Sequence, residues 1–85
     1  MATPQLSHVQ GASEPALIED TIGQALDKAA SRWPDEVALI SRHQDIRWIY
    51  RELLQRVDDL AAGFIDLGLT RGDRIGIWSP NCAEW

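Results

Sequence analysis

Cysteine, lysine and histidine are scarce in this sequence, and each scarcity excludes a class of chemistry. The one cysteine, Cys82, cannot close an intramolecular disulfide and lacks the paired spacing of a zinc site. With no histidine near it in sequence, it reads as an inert structural thiol rather than a nucleophile. Eight Lys and Arg face thirteen Asp and Glu, for a net charge of −5. That balance disfavours a nucleic-acid partner, because phosphate contacts need clustered cations. The two histidines, His8 and His43, have no second His or Cys at ligand spacing. No apolar run approaches the ~20 residues needed to span a membrane. The first ten residues, MATPQLSHVQ, have neither a basic start nor an apolar core, so no secretory signal is visible and the expected location is the cytoplasm.

What is present suits a small soluble α/β piece. The hydrophobic fraction of 45% and charged fraction of 25% are ordinary for a folded chain. A chain of 85 residues allows one domain at most and buries only roughly 60–65% of its unfolded surface. Residues 1–18 hold Pro4, Gly11 and Pro15 without a hydrophobic period, which predicts a flexible N-terminal arm. Ile22, Ala25, Leu26, Ala29, Ala30 and Trp33 then recur at steps of three and four, the stripe of an amphipathic helix. Thr21 and Gln24 spell its capping box, and Pro34 ends it.

Residues 37–40 form a short apolar run, and Ile46, Trp48 and Tyr50 alternate with Arg47 and Ile49. The pattern predicts a hairpin whose connection, residues 41–45, has no glycine and therefore needs a loop longer than a tight primed turn. From Tyr50 to Leu67 the helical spacing returns in Leu53, Leu54, Val57, Leu60, Ala61, Phe64 and Ile65. Glu52 and Arg56 stand at i,i+4 on its polar side, worth about 0.3 kcal/mol if exposed. Gly68 ends the helix. Residues 74–78 alternate as a strand, Pro80 breaks it, and Asn81 with Glu84 has the spacing of a second capping box. Strand, long helix and returning strand make the unit of a parallel sheet. Such sheets need cover on both faces, which this chain does not supply.

The candidate sites each have a plain reading. Gly68, Gly72 and Gly76 lie four apart, whereas a phosphate cradle groups its glycines before a helix N-terminus. Lys28, the sole lysine, lies mid-helix beside Asp27 on a solvated face. Arg71-Gly72-Asp73 matches an adhesion tripeptide but sits where the chain must turn. Asp58 and Asp59 are adjacent on a helix and project about 100° apart, so they cannot face one substrate as acid and base. Most of the four tryptophans, Trp33, Trp48, Trp78 and Trp85, are expected to pack a core; Trp85 is expected to pack against residues outside 1–85.

Composition and spacing go no further, but the sequence resembles a known family. TIGQALDKAASRWPDEVALI, followed by RWIYRELLQRVDDLAAGFIDLGLTRGDRIGIWSPNCAEW, is similar to the N-terminal segment of AMP-forming acyl-CoA synthetases of the adenylate-forming superfamily. Tyr50, Glu52, Leu53, Leu67, Gly68, Gly72, Asp73, Arg74, Pro80 and Asn81 carry the resemblance, which covers about residues 7–85. The arm SHVQGASEPALIEDTIG further resembles the branch acting on medium-chain and related fatty acids. The resemblance implies a ligase using ATP with magnesium to turn a carboxylic acid into an acyl-adenylate, and coenzyme A to take the acyl group from AMP. In that family the phosphate loop, the ribose-binding acid, the acyl pocket and the C-terminal lysine lie downstream of the matched segment. No catalytic, cofactor-binding or metal-ligating residue is therefore assigned in this sequence.

The resulting expectation is an α/β piece: helix, hairpin, long helix and parallel strand, with residues 19–85 an incomplete N-terminal part of an AMP-binding domain. The piece is expected to be inactive alone and to act with the rest of a parent chain. Two alternatives stand beside this, a stand-alone interaction module without catalysis and an adenylate-forming enzyme that does not use coenzyme A. One departure from the family pattern is Ile49, where members usually have Thr; an Ile cannot cap the long helix, and restoring Thr should stabilise it.

Overall fold

Hydrogen bonding at the ends of the elements explains most of this architecture. The computed structural model describes residues 6–85. Of the arm expected at residues 1–18, residues 1–5 lie outside the described residues; residues 6–18 are exposed and form no helix or strand. The regular elements are α1 (Ile22–Arg32), β1 (Val37–Ser41), β2 (Ile46–Ile49) and α2 (Tyr50–Asp66). This is the expected mixed α/β order as far as residue 66.

α1 starts where its sequence says it should. Thr21 is extended, with φ −71 and ψ 163, and its hydroxyl accepts from the Gln24 N–H at 3.1 Å. The Gln24 side chain reaches back to accept from the Thr21 N–H at 2.9 Å, so the capping box is closed in both directions. Lys28 Nζ, on the outer face, donates to Asp20 Oδ2 at 2.7 Å. The helix ends at Trp33, whose N–H still reaches Ala29 O at 2.8 Å, because Pro34 cannot continue the ladder.

β1 and β2 pair antiparallel, with Val37 opposite Ile49, Leu39 opposite Trp48 and Ser41 opposite Ile46; the register slips by one residue between Val37 and Leu39. The turn is a single 3-10 segment, Arg42–Gln44, closed by Asp45 at φ 54 and ψ 43. Asp is among the few residues other than glycine that enter this left-handed conformation routinely, so no glycine is needed.

α2 begins directly at the end of β2. Ile49 occupies the cap position with φ −80 and ψ 166 and makes no side-chain cap bond, as its chemistry requires. The deficit is met from elsewhere in the chain. Glu36 O accepts from Tyr50 N–H at 3.0 Å and Pro34 O accepts from Arg51 N–H at 3.1 Å. Asp35, between those two carbonyls, pairs with the Arg51 guanidinium. The segment after α1 thus caps α2, and α2 packs against α1 and both strands. The expected Glu52–Arg56 pair does not form: Arg56 lies over the Trp48 ring, 4.2 Å from its centroid. Stacking on an indole face outweighs a solvated i,i+4 ion pair of a few tenths of a kcal/mol.

Three sequence expectations need correction. Residues 74–78 form no strand, and the only sheet among the described residues is the β1–β2 hairpin. A strand is held by ladder bonds to a neighbour, and none of the described residues supplies one here. Residues 81–84 form a bend and a turn, closed by Trp85 N–H to Cys82 O at 3.2 Å, instead of a helix. A single turn fixes too many dihedrals for the one bond it gains. The tryptophans do not form a core. Trp33, Trp78 and Trp85 are exposed, Trp48 is half-buried, and Ala30 is the one buried apolar side chain among the described residues. The radius of gyration of 19.6 Å exceeds the about 12 Å of a compact domain of this length.

Two outcomes test the helix ends. Val and Thr have nearly the same shape, so comparing Ile49→Thr with Ile49→Val isolates the hydroxyl. We expect the Thr form to be more stable by about 1 kcal/mol in thermal unfolding, through a bond to the Glu52 N–H; equal midpoints would refute it. Gly68, at φ +92 with open space around its missing Cβ, closes α2. Gly68→Ala should cost about 1 kcal/mol from backbone strain alone, read by the same measurement.

Candidate functional site

The residues weighed as sites in the sequence are placed apart by the fold. Gly68 and Gly72 have positive φ of 92 and 93 and serve turns. Arg71-Gly72-Asp73 lies in the turn over residues 70–73, which Asp73 Oδ2 braces by accepting from Thr70 N–H at 2.8 Å. His8 is exposed in the arm, and His43 sits in the hairpin turn with Nδ1 3.5 Å from Ser41 Oγ. Asp59 accepts from Gln55 Nε2 at 3.1 Å along the face of α2. Among the described residues, no three His, Cys, Asp or Glu side chains come together.

These residues do not fit a nucleoside triphosphate or its magnesium ion. A phosphate is gripped by free amides at a helix N-terminus or by a lysine. Here Gln24 N–H is held by Thr21, and Tyr50 and Arg51 N–H are held by the carbonyls of Glu36 and Pro34. Lys28 is paired with Asp20. One surface hollow, about 430 Å³, is walled by one face of α2, where Arg51 and Arg56 alternate with Glu52 and Asp59. With one wall and mixed charge, it offers a polyanion no enclosure.

Another hollow has walls from more than one element. About 290 Å³ in volume, it lies between Trp48 of β2, Leu53, Arg56, Val57 and Leu60 of α2, and Ala83 and Glu84 of the last segment. Its outer wall is held in place by Gln44. Gln44 Oε1 accepts from the Ser41 hydroxyl and from the Ala83 N–H, each at 2.7 Å, and Gln44 Nε2 donates to Glu84 Oε2 at 2.8 Å. Sequence reasoning missed Gln44. Its partners lie about forty positions away, and a polar residue in a turn gives no local sign of a distant partner.

The Gln44 amide, above all, holds the Glu84 carboxyl below the usual glutamate range. The Glu84 backbone N–H, Cys82 and the Arg56 charge add to this, and slight desolvation opposes it. A depressed folded value means the stabilisation is complete above the ordinary glutamate range and is lost as pH falls through the folded value. We predict that the Glu84 carboxyl carbon titrates by NMR below a glutamate in a short peptide, and that Gln44→Ala moves it upward. An unmoved midpoint would break the assignment.

Comparison with known proteins gives the family of the chain. The family described as AMP-binding enzyme matches residues 26–85. The mitochondrial medium-chain acyl-CoA ligase ACSF2 of Mus musculus is 41% identical over 80 residues, which is 94% of this chain and 13% of that protein. The Homo sapiens protein of the same name is also 41% identical over 80 residues, with the same coverage of 94% and 13%. Acyl-CoA ligase SID4 of Ajellomyces capsulatus is 38% identical over 80 residues, 94% of this chain and 14% of that protein. The chain thus spans 13% to 14% of the length of these relatives. No solved structure matches it. Since the match takes in α2, the hairpin and the last segment, more than half of the chain, the protein belongs to the family of AMP-binding enzymes.

Proposed function

We propose that this chain is the N-terminal portion of a longer acyl-CoA ligase. In that parent, a fatty acid carboxylate attacks the α-phosphorus of ATP, pyrophosphate leaves, and the thiol of coenzyme A then displaces AMP to give the thioester. The observation that carries the reading is identity near 40% across 94% of the chain to proteins named as acyl-CoA ligases. Those names favour coenzyme A over an adenylating enzyme that uses another acceptor.

On this reading the segment contributes position rather than chemistry. α2 and the hairpin form one flank of the large domain, and residues 74–78 join a sheet completed by the rest of the parent. Exposed Ile75, Ile77 and Trp78 suit such burial. Removing one exposed Ile or Trp side chain from water is worth roughly 1.5–3 kcal/mol, which a chain with a single buried apolar residue among the described residues leaves unused. The groups that bind ATP, magnesium and coenzyme A come from outside residues 1–85.

The test is a turnover assay with the pure chain, ATP, magnesium, a medium-chain fatty acid and coenzyme A. The expected result is no pyrophosphate, while the parent containing this segment produces it. Reproducible release by the pure chain would overturn the reading, as would a parent that forms adenylate but never thioester.

A further inference from the structure

Asn81 and Glu84 have the spacing of a capping box, yet Glu84 does not use its carboxylate that way. If Asn81 is the cap, Ala83 and Glu84 are the second and third residues of the first turn, where backbone N–H groups have no acceptor inside the helix. The structure supplies an acceptor from another element. Gln44 Oε1 takes the Ala83 N–H at 2.7 Å, and Gln44 Nε2 takes the Glu84 carboxylate at 2.8 Å. The exchange is reciprocal: one donor and one acceptor on each side, as in the box formed by Thr21 and Gln24.

Gln44 is prepared for this. It ends the 3-10 turn, just before the left-handed Asp45, and its Oε1 is also tied to the Ser41 hydroxyl at 2.7 Å. Ser41 is one of the two buried residues among the described residues, so the side-chain amide is anchored to the best-packed part of the hairpin. An amide that both donates and accepts is required, since the partner offers one N–H and one carboxylate.

We propose that Gln44 is a long-range helix cap: its side-chain amide replaces the local capping box at residues 81–84, and so fixes where the last segment leaves the hairpin and begins a helix in the longer ligase. The helical half of this rests on the reading of the chain as part of such a ligase; the bonds themselves are tested in this chain without any assay of activity. The first amides of α2 are likewise met from a distance, by the backbone carbonyls of Glu36 and Pro34 in the loop between α1 and β1.

The experiment is amide exchange by NMR on the full 85-residue chain. In the wild type the Ala83 amide should exchange roughly fivefold more slowly than its unstructured rate, the factor of one net hydrogen bond; an unslowed Ala83 amide overturns the proposal. Gln44→Ala should remove that protection while the Asp45 N–H, bonded to Arg42 O at 3.1 Å, stays protected. Ala83 protection that survives Gln44→Ala refutes it.

Gln44→Glu provides the readout that simple packing would not move. It keeps an acceptor for Ala83 but sets a second carboxylate against Glu84. The groups facing this point are Arg56 from α2, Cys82 from the last segment, and Ser41 and His43 from the hairpin turn. Ala83 protection should be lost at neutral pH. It should return, relative to Gln44→Ala at the same pH, once acid protonates one of the two carboxyls. Full protection of Gln44→Glu at neutral pH would show that an acceptor alone suffices and would overturn the reciprocal cap. If Gln44→Ala loses the hairpin as well, Glu84→Ala decides: it must weaken Ala83 protection with Asp45 unchanged, and failure to do so counts against the proposal.

Discussion

The carbonyls of Pro34 and Glu36, bonded to the amides of Arg51 and Tyr50, are the contact on which the rest of the fold depends. A helix start leaves backbone N–H groups without partners, and a helix as long as α2 is of little use until that deficit is met. Ile49 cannot meet it. The chain instead brings the end of α1 against the start of α2, which fixes the angle between the helices and, because Val37 follows directly, the position of β1. Asp35 paired with Arg51 strengthens the same junction with charge. An exposed ion pair contributes little by itself; here it reinforces bonds that already order both groups.

Apolar burial adds little to this frame. Ala30 is the one buried apolar side chain among the described residues, and Ile40, Leu60, Ile65, Leu67, Ile75, Ile77 and Trp78 are exposed. Hydrophobic stabilisation scales with area removed from water, so this chain draws on local and backbone bonds where a complete domain draws on a core. Exposure on that scale is the physical counterpart of spanning 13% of a relative's length.

The same balance decides the last segment. Arg56 turns from Glu52 to cover Trp48, and the opened face of α2 becomes one wall of the cleft whose other wall is Ala83 and Glu84. Residues 81–84 are held across that cleft by one glutamine side chain. A segment with no ladder and no helix of its own takes its place from whichever donor and acceptor the nearest ordered element presents.

Most local outcomes were determined by the sequence by itself, the Glu52–Arg56 pair and the Asn81–Glu84 box being the exceptions. The Thr21–Gln24 box, the stop at Pro34, the hairpin, the extent of α2 and its end at Gly68 all follow from periodicity, caps and φ preferences, interactions spanning a few residues. The absence of a cap on α2 was equally plain from Ile49. Family membership was legible too, through the resemblance carried by residues such as Tyr50, Glu52, Gly68, Asp73 and Pro80. Only the tertiary structure decided what compensates for Ile49, where Arg56 points, whether residues 74–78 find a ladder, and that Gln44 binds residues about forty positions away. Those outcomes depend on which distant group arrives first at an unsatisfied donor or an open apolar face. No local pattern encodes that, because it is set by how α1, the hairpin and α2 come together in space.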